Sequence, residues 1–155
     1  MNTVEGNLAY SGGRIAIVAS RFNDKVVDGL LDGALTVLHY NGVPEDAIDL
    51  IRVPGAFELP IAVQRLAEKK QYAGIMAMGA VIKGQTAHFE YICEATTNAL
   101  MQLGLKYNLP VLYGLLTSYT AEQALERGDV KRKNKGAEVA EALLETLSVL
   151  NKVDA

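Results

Sequence analysis

The residues best placed to do chemistry lie in the stretch Ala80-Val81-Ile82-Lys83-Gly84-Gln85-Thr86-Ala87-His88-Phe89-Glu90-Tyr91. It follows the apolar run Gly74 to Gly79, which reads as a buried strand. A glycine-containing turn then leads into a helix starting at Thr86, with His88 in its first turn. Main-chain N–H groups left unpaired at a helix start, together with the macrodipole, favour an anion there and disfavour an imidazolium. Histidine is the side chain that exchanges protons most readily near neutral pH. Two readings of His88 therefore stand. It is a structural histidine satisfied by its neighbours, or a proton carrier at the rim where a parallel sheet binds its ligands.

The elements that must position it follow from periodicity. Short β-rich runs alternate with longer helical patterns, the signature of a parallel sheet covered by helices. Strands are expected over Arg14 to Ala19, Ile48 to Val53, Gly74 to Val81 and Pro110 to Leu116. None shows polar alternation, so both faces of the sheet should be covered. Helices are expected over Asp24 to Tyr40, Phe57 to Lys69, Ala87 to Tyr107, Ala121 to Arg127 and Lys135 to Val149. The last carries Val139, Leu143, Leu144, Leu147 and Leu150 as an amphipathic stripe, which core packing explains. Met1 to Tyr10 precede the sheet and either fray or pair with a neighbouring subunit, pairing being the expectation.

Right-handed crossovers place every strand-to-helix loop on one rim. The first loop holds Phe22, Asn23 and Asp24. Asn23 or Asp24 is a natural cap for the following helix, and Phe22 either stacks on a planar heterocycle or fills a subunit contact. In the second, Pro54 and Gly55 make the turn and Pro60 fits a first helical turn. Glu58 there either complements the macrodipole or accepts hydrogen bonds from ligand hydroxyls. The fourth region is basic, Arg127 followed by Lys131-Arg132-Lys133-Asn134-Lys135-Gly136. Such a run is ordinary solvated charge, or it supplies the one or two groups that grip a phosphate.

Composition narrows the field. A chain of 155 residues, 50% hydrophobic, makes one core and a single domain, 1–155. A net charge of -3 argues against general nucleic-acid binding. Cys93 is the only cysteine, so no intramolecular disulfide forms, and two distant histidines do not supply a zinc site. Cytosolic residence is expected, with no signal peptide and no membrane span. Gly79 to Gly84 mimics a phosphate-binding loop, but the order is not G-x-x-x-x-G-K-[ST]. Neither G-x-G-x-x-G nor G-x-S-x-G occurs.

Three segments carry a resemblance. Val53-Pro54-Gly55-Ala56-Phe57-Glu58-Leu59-Pro60, the stretch from Gly79 to Tyr91, and Glu122 to Arg127 closed by Asn134-Lys135-Gly136 are similar to the 6,7-dimethyl-8-ribityllumazine synthase family. The similarity runs from about Asn2 to Leu150 without an obvious insertion. With the strand pattern, it implies an α/β fold, a three-layer αβα arrangement with a four-stranded parallel, flavodoxin-like sheet. It also implies the penultimate step of riboflavin synthesis, condensing 5-amino-6-(D-ribitylamino)uracil with 3,4-dihydroxy-2-butanone 4-phosphate, with no cofactor and no metal. The partners it implies are small-molecule substrates and other copies of the chain, as a pentamer or a 60-subunit shell of pentamers.

The resemblance also implies roles. Phe22 would stack on the pyrimidine, and Asn23, Ala56, Phe57 and Glu58 would hold the ring and the ribityl hydroxyls. Ala80, Val81 and Ile82 would offer main-chain groups, Gln85 and Thr86 would meet the phosphate, and His88 would move protons. Tyr113, Arg127 and Lys135 would reach in from the neighbouring subunit. The chain departs from the family pattern at Ala80, where threonine is common, at Lys83, where arginine is common, and at Tyr113, where phenylalanine or leucine is usual. Arg132 and Lys133 replace small residues. A flavin- or pterin-binding module without catalysis, or a structural shell protein, would use part of this set but not Arg127 together with a titratable His88.

Overall fold

Short runs rich in apolar residues become the strands β1 (Arg14–Ser20), β2 (Ile48–Val53), β3 (Tyr72–Ile82) and β4 (Val111–Ser118). In the computed structural model, which describes residues 1–155, they form one parallel sheet in the order β2-β1-β3-β4. That order is the flavodoxin-like one. Helices α1 (Asp24–Tyr40), α4 (Ala121–Gly128) and α5 (Lys135–Asp154) cover one face, and α2 (Leu59–Glu68) and α3 (His88–Tyr107) the other. Successive side chains of β1 alternate between the two layers. Ile15 and Ile17 join Leu30 and Leu143 on one side, while Ala16 and Val18 join Leu59 and Leu100 on the other.

Central strands β1 and β3 are buried almost throughout, as expected. The edge strands are not. Leu50 in β2 and Tyr113 in β4 are exposed, because an edge strand is covered less completely than its central neighbours. β3 begins two residues before the expected start, since Tyr72 pairs with Arg14 and its hydroxyl donates to Asp49 Oδ2 at 2.7 Å. A single 3-10 turn over Ala56–Glu58 precedes α2, which starts at Leu59 instead of Phe57. α5 runs on to Asp154, past the expected end at Val149. Residues 5–11 do not fray: Lys152 Nζ donates to the Glu5 carbonyl at 2.7 Å, Asn7 N donates to Ser148 Oγ at 3.1 Å, and Leu8 and Tyr10 pack on the core.

Glycine lets two helices approach α1 more closely than side chains allow. A Cβ on Gly29 would meet the Gly128 carbonyl of α4, and one on Gly136 would overlap the Leu30 carbonyl. These contacts fix the α4 end bearing Arg127 and the α5 start bearing Lys135 against one rigid helix.

At the opposite end of the sheet Arg14 Nη2 donates to Asp49 Oδ1 at 2.7 Å, so three strand beginnings are tied together. The Arg14 hydrogen bond, then that of Tyr72, holds the Asp49 carboxyl below the usual carboxylate range, against a smaller desolvation effect. A carboxylate whose pKa is lower folded than unfolded adds stability above its unfolded value, about 3.9, and loses it as pH falls through the folded value. Asp49→Asn should therefore lower the urea midpoint at pH 7, and the gap from wild type should close in strong acid. An equal gap at both pH values would mean that packing, not charge, sets the effect.

Candidate active site

The chain steps from β1 out to β2 and then crosses back past β1 to β3, so the carboxyl ends of β1 and β3 border the crevice where such sheets bind ligands. A cleft of about 370 Å³ opens there. Phe22 and Asn23 enter it from the end of β1, Ala56, Phe57 and Glu58 from the turn after β2, and Ala80, Val81 and Ile82 from β3. His88 and Ile92 come from the first two turns of α3. Nine of the residues expected from sequence thus share one cavity. Gly55, expected only as a turn residue, and Ile92, not singled out, also line it. The spacing from His88 to Ile92 carried the signal for one, since residues four apart share a helix face.

Main-chain bonds hold the loops. Arg21 N donates to the Val53 carbonyl at 2.8 Å and Phe22 N to the Pro54 carbonyl at 3.0 Å, which continues the pairing of β1 with β2 beyond the strands. Lys83 N donates to the Ser118 carbonyl at 2.9 Å, which fixes the end of β3 against β4. Phe22 is 72% exposed and Phe57 61%, so both present open ring faces. Glu58 occupies the N-cap position of α2, yet its side chain makes no capping bond, leaving a half-buried carboxylate free to accept.

Asn23 corrects the capping expectation. It stands at the N-cap of α1 in the left-handed region, φ 62, and its main-chain carbonyl accepts from Val26 and Val27. Its side chain does not cap. Instead Nδ2 donates to the Ala80 carbonyl at 2.8 Å, across from β1 to β3. Asp24 Oδ1 accepts only from the N–H of Lys25 next to it.

His88 is the first residue of α3, is exposed, and donates its main-chain N–H to Thr86 Oγ1 at 3.4 Å. Gln85 and Thr86 lie on the exposed loop before that helix and do not line the cleft, though the unpaired N–H groups of the first turn are beside them. Tyr113, Arg127 and Lys135 do not line it either. The Tyr113 hydroxyl pairs with Thr97 Oγ1 at 2.9 Å, Arg127 Nη1 donates to the Gln123 carbonyl at 3.3 Å, and Lys135 Nζ pairs with Glu138 at 2.8 Å.

Other cavities and reactive groups offer less. A larger groove, about 570 Å³, opens between α2 and α3, but apart from the Thr96 hydroxyl apolar and amide groups line it, and its only charge is Lys106. Burial, then the nearby Glu90 charge, pushes the Cys93 thiol up, the opposite of the shift that activates a thiolate nucleophile. No three His, Cys, Asp or Glu side chains converge as metal ligands do. No helix is long and apolar enough to cross a membrane.

Comparison with known proteins gives this geometry a family. The family model described as 6,7-dimethyl-8-ribityllumazine synthase matches residues 12–151. The 6,7-dimethyl-8-ribityllumazine synthase of Desulfovibrio desulfuricans is 44% identical over 153 residues, covering 99% of this chain and 98% of that protein. Among solved structures, a de novo designed Rossmann fold protein aligns with a TM-score of 0.40 and 15% identity, over 76% of this chain and 94% of its own, a likeness too slight to carry weight. On the match of model and relative along nearly its whole length, the chain belongs to the 6,7-dimethyl-8-ribityllumazine synthase family, transferases of riboflavin biosynthesis.

Proposed function

We propose that this chain condenses 5-amino-6-(D-ribitylamino)uracil with 3,4-dihydroxy-2-butanone 4-phosphate, giving 6,7-dimethyl-8-ribityllumazine, phosphate and water. The observation that carries the reading is the convergence of aromatic, carboxylate, main-chain and imidazole groups from three strand ends and α3 on one cleft. Phe22 and Phe57 offer ring faces to the pyrimidine, and the main chain of Ala80, Val81 and Ile82 offers its edge donors and acceptors. The free Glu58 carboxylate accepts from ribityl hydroxyls. Gln85 and Thr86 meet the phosphate at the start of α3, where unpaired N–H groups and the dipole favour an anion. His88, between the two, moves protons during imine formation, phosphate elimination and ring closure.

A second subunit completes the site in this reading. Tyr113, Arg127 and Lys135 lie outside their own chain's cleft, which supports their serving an adjacent copy in a ring of five. Met1 to Val4, exposed at the N-terminus, are free to pair with a neighbour. Residence in the cytosol completes the proposal.

Mixing purified protein with both substrates should yield the fluorescent lumazine faster than the uncatalysed background. Orientation supplies several kcal/mol once amine and ketone are held together, so proton transfer is not the whole of catalysis. His88→Ala should therefore slow turnover by roughly a hundredfold to ten-thousandfold without abolishing it. No product above background from the wild type would sink the enzyme reading. A His88→Ala protein that binds substrate but shows no turnover would overturn the orientation-dominated account.

A further inference from the structure

We propose that Asn23 is a positioning residue that locks the Phe22 platform onto β3. This rests on the cleft's reading as a pyrimidine site. The pairing of β1 with β3 ends at Ala19 and Met78, whereas β3 continues beside β4 as far as Ile82 and Ser118. Beyond Met78, then, β3 has no strand partner on its β1 side, and carbonyls there need another donor. The Asn23 amide supplies one at 2.8 Å, on Ala80.

Backbone conformation makes this possible. In the left-handed region, φ 62 and ψ 50, which asparagine tolerates better than most residues, the side chain turns away from the α1 N-terminus and makes no cap bond. The cost is a side-chain cap left unmade. What is gained is a third anchor for the loop. Arg21 and Phe22 hold it to β2 through their main-chain N–H groups, and Asn23 alone ties it to β3. Phe22 is 72% exposed, so its ring gains little orientation from packing. Without Asn23 the loop can pivot about its β2 contacts, and the ring face drifts from the main chain at Ala80 and Val81.

Asn23→Gly separates the bond from the backbone, because glycine adopts the same φ without strain. Its expected effect is a rise of about tenfold in KM for the ribitylaminouracil, with KM for the phosphorylated ketone unmoved. The decisive comparison is the double-mutant cycle with Phe22→Ala. A residue acting through Phe22 should add less than about twofold once that ring is gone. The same tenfold loss in both backgrounds would make Asn23 a direct ligand contact and overturn the proposal. Hydrogen exchange of the Arg21 to Asn23 amides gives a readout independent of turnover and should quicken in Asn23→Gly. Unchanged exchange would overturn the lock, whereas a wild type that makes no lumazine defeats the functional reading and leaves the exchange result to judge Asn23.

Discussion

Arg127→Ala should lower kcat/KM for the phosphorylated ketone by about a hundredfold, the effect of losing a charged hydrogen-bonding group on an anion, while pyrimidine binding persists. The side chain is available for that role. It lies on α4 with one Nη1 bond to its own helix, has no carboxylate partner, and is absent from the lining of its own cleft. Co-expression sharpens the test. In the proposed ring of five, mixing Arg127→Ala and His88→Ala chains would give some sites an intact His88 from one chain and an intact Arg127 from the next. Mixed rings should therefore outperform the average of the two parents. Activity equal to that average would place the whole site within one chain.

Gly136→Ala should be the most damaging single methyl group in the molecule. Its Cβ would overlap the Leu30 carbonyl, a backbone atom that no rotamer change can move aside. Overpacking of that kind costs about 3 kcal/mol, or about 10 °C in Tm for a chain of this size. Gly84→Ala provides the control, since nothing lies within 4 Å of its Cβ, and should change stability by less than about 0.5 kcal/mol. Thermal melts of the two variants decide the matter. Equal Tm values would mean that α5 shifts against α1 without cost.

The fold was legible because the central strands were nearly unbroken apolar runs, β2 kept four apolar residues around Asp49 and Arg52 at short spacing, and each helix was a longer periodic pattern. What escaped were features set by partners distant in sequence. Tyr72 joins β3 because Arg14 and Asp49 receive it, and α5 continues through Asn151 and Lys152 while Glu5, near the other end of the chain, meets Lys152. The cleft was legible to the same degree. Loops at strand ends must share a rim, so Phe22, Glu58, Ala80 and His88 could be brought together on topology. The reach of Asn23 to Ala80 could not, since a side-chain cap is the commoner use of asparagine before a helix. Nor could the fit of Gly136 on Leu30, which depends on where two helices cross.

The bond from Arg14 to Asp49 to Tyr72 sits at the amino end of the sheet, one strand length from the cleft at its carboxyl end. A chain arranged this way divides labour along its own strands. Substitutions that raise thermal tolerance can accumulate at the amino end without touching the cleft proposed to bind substrate.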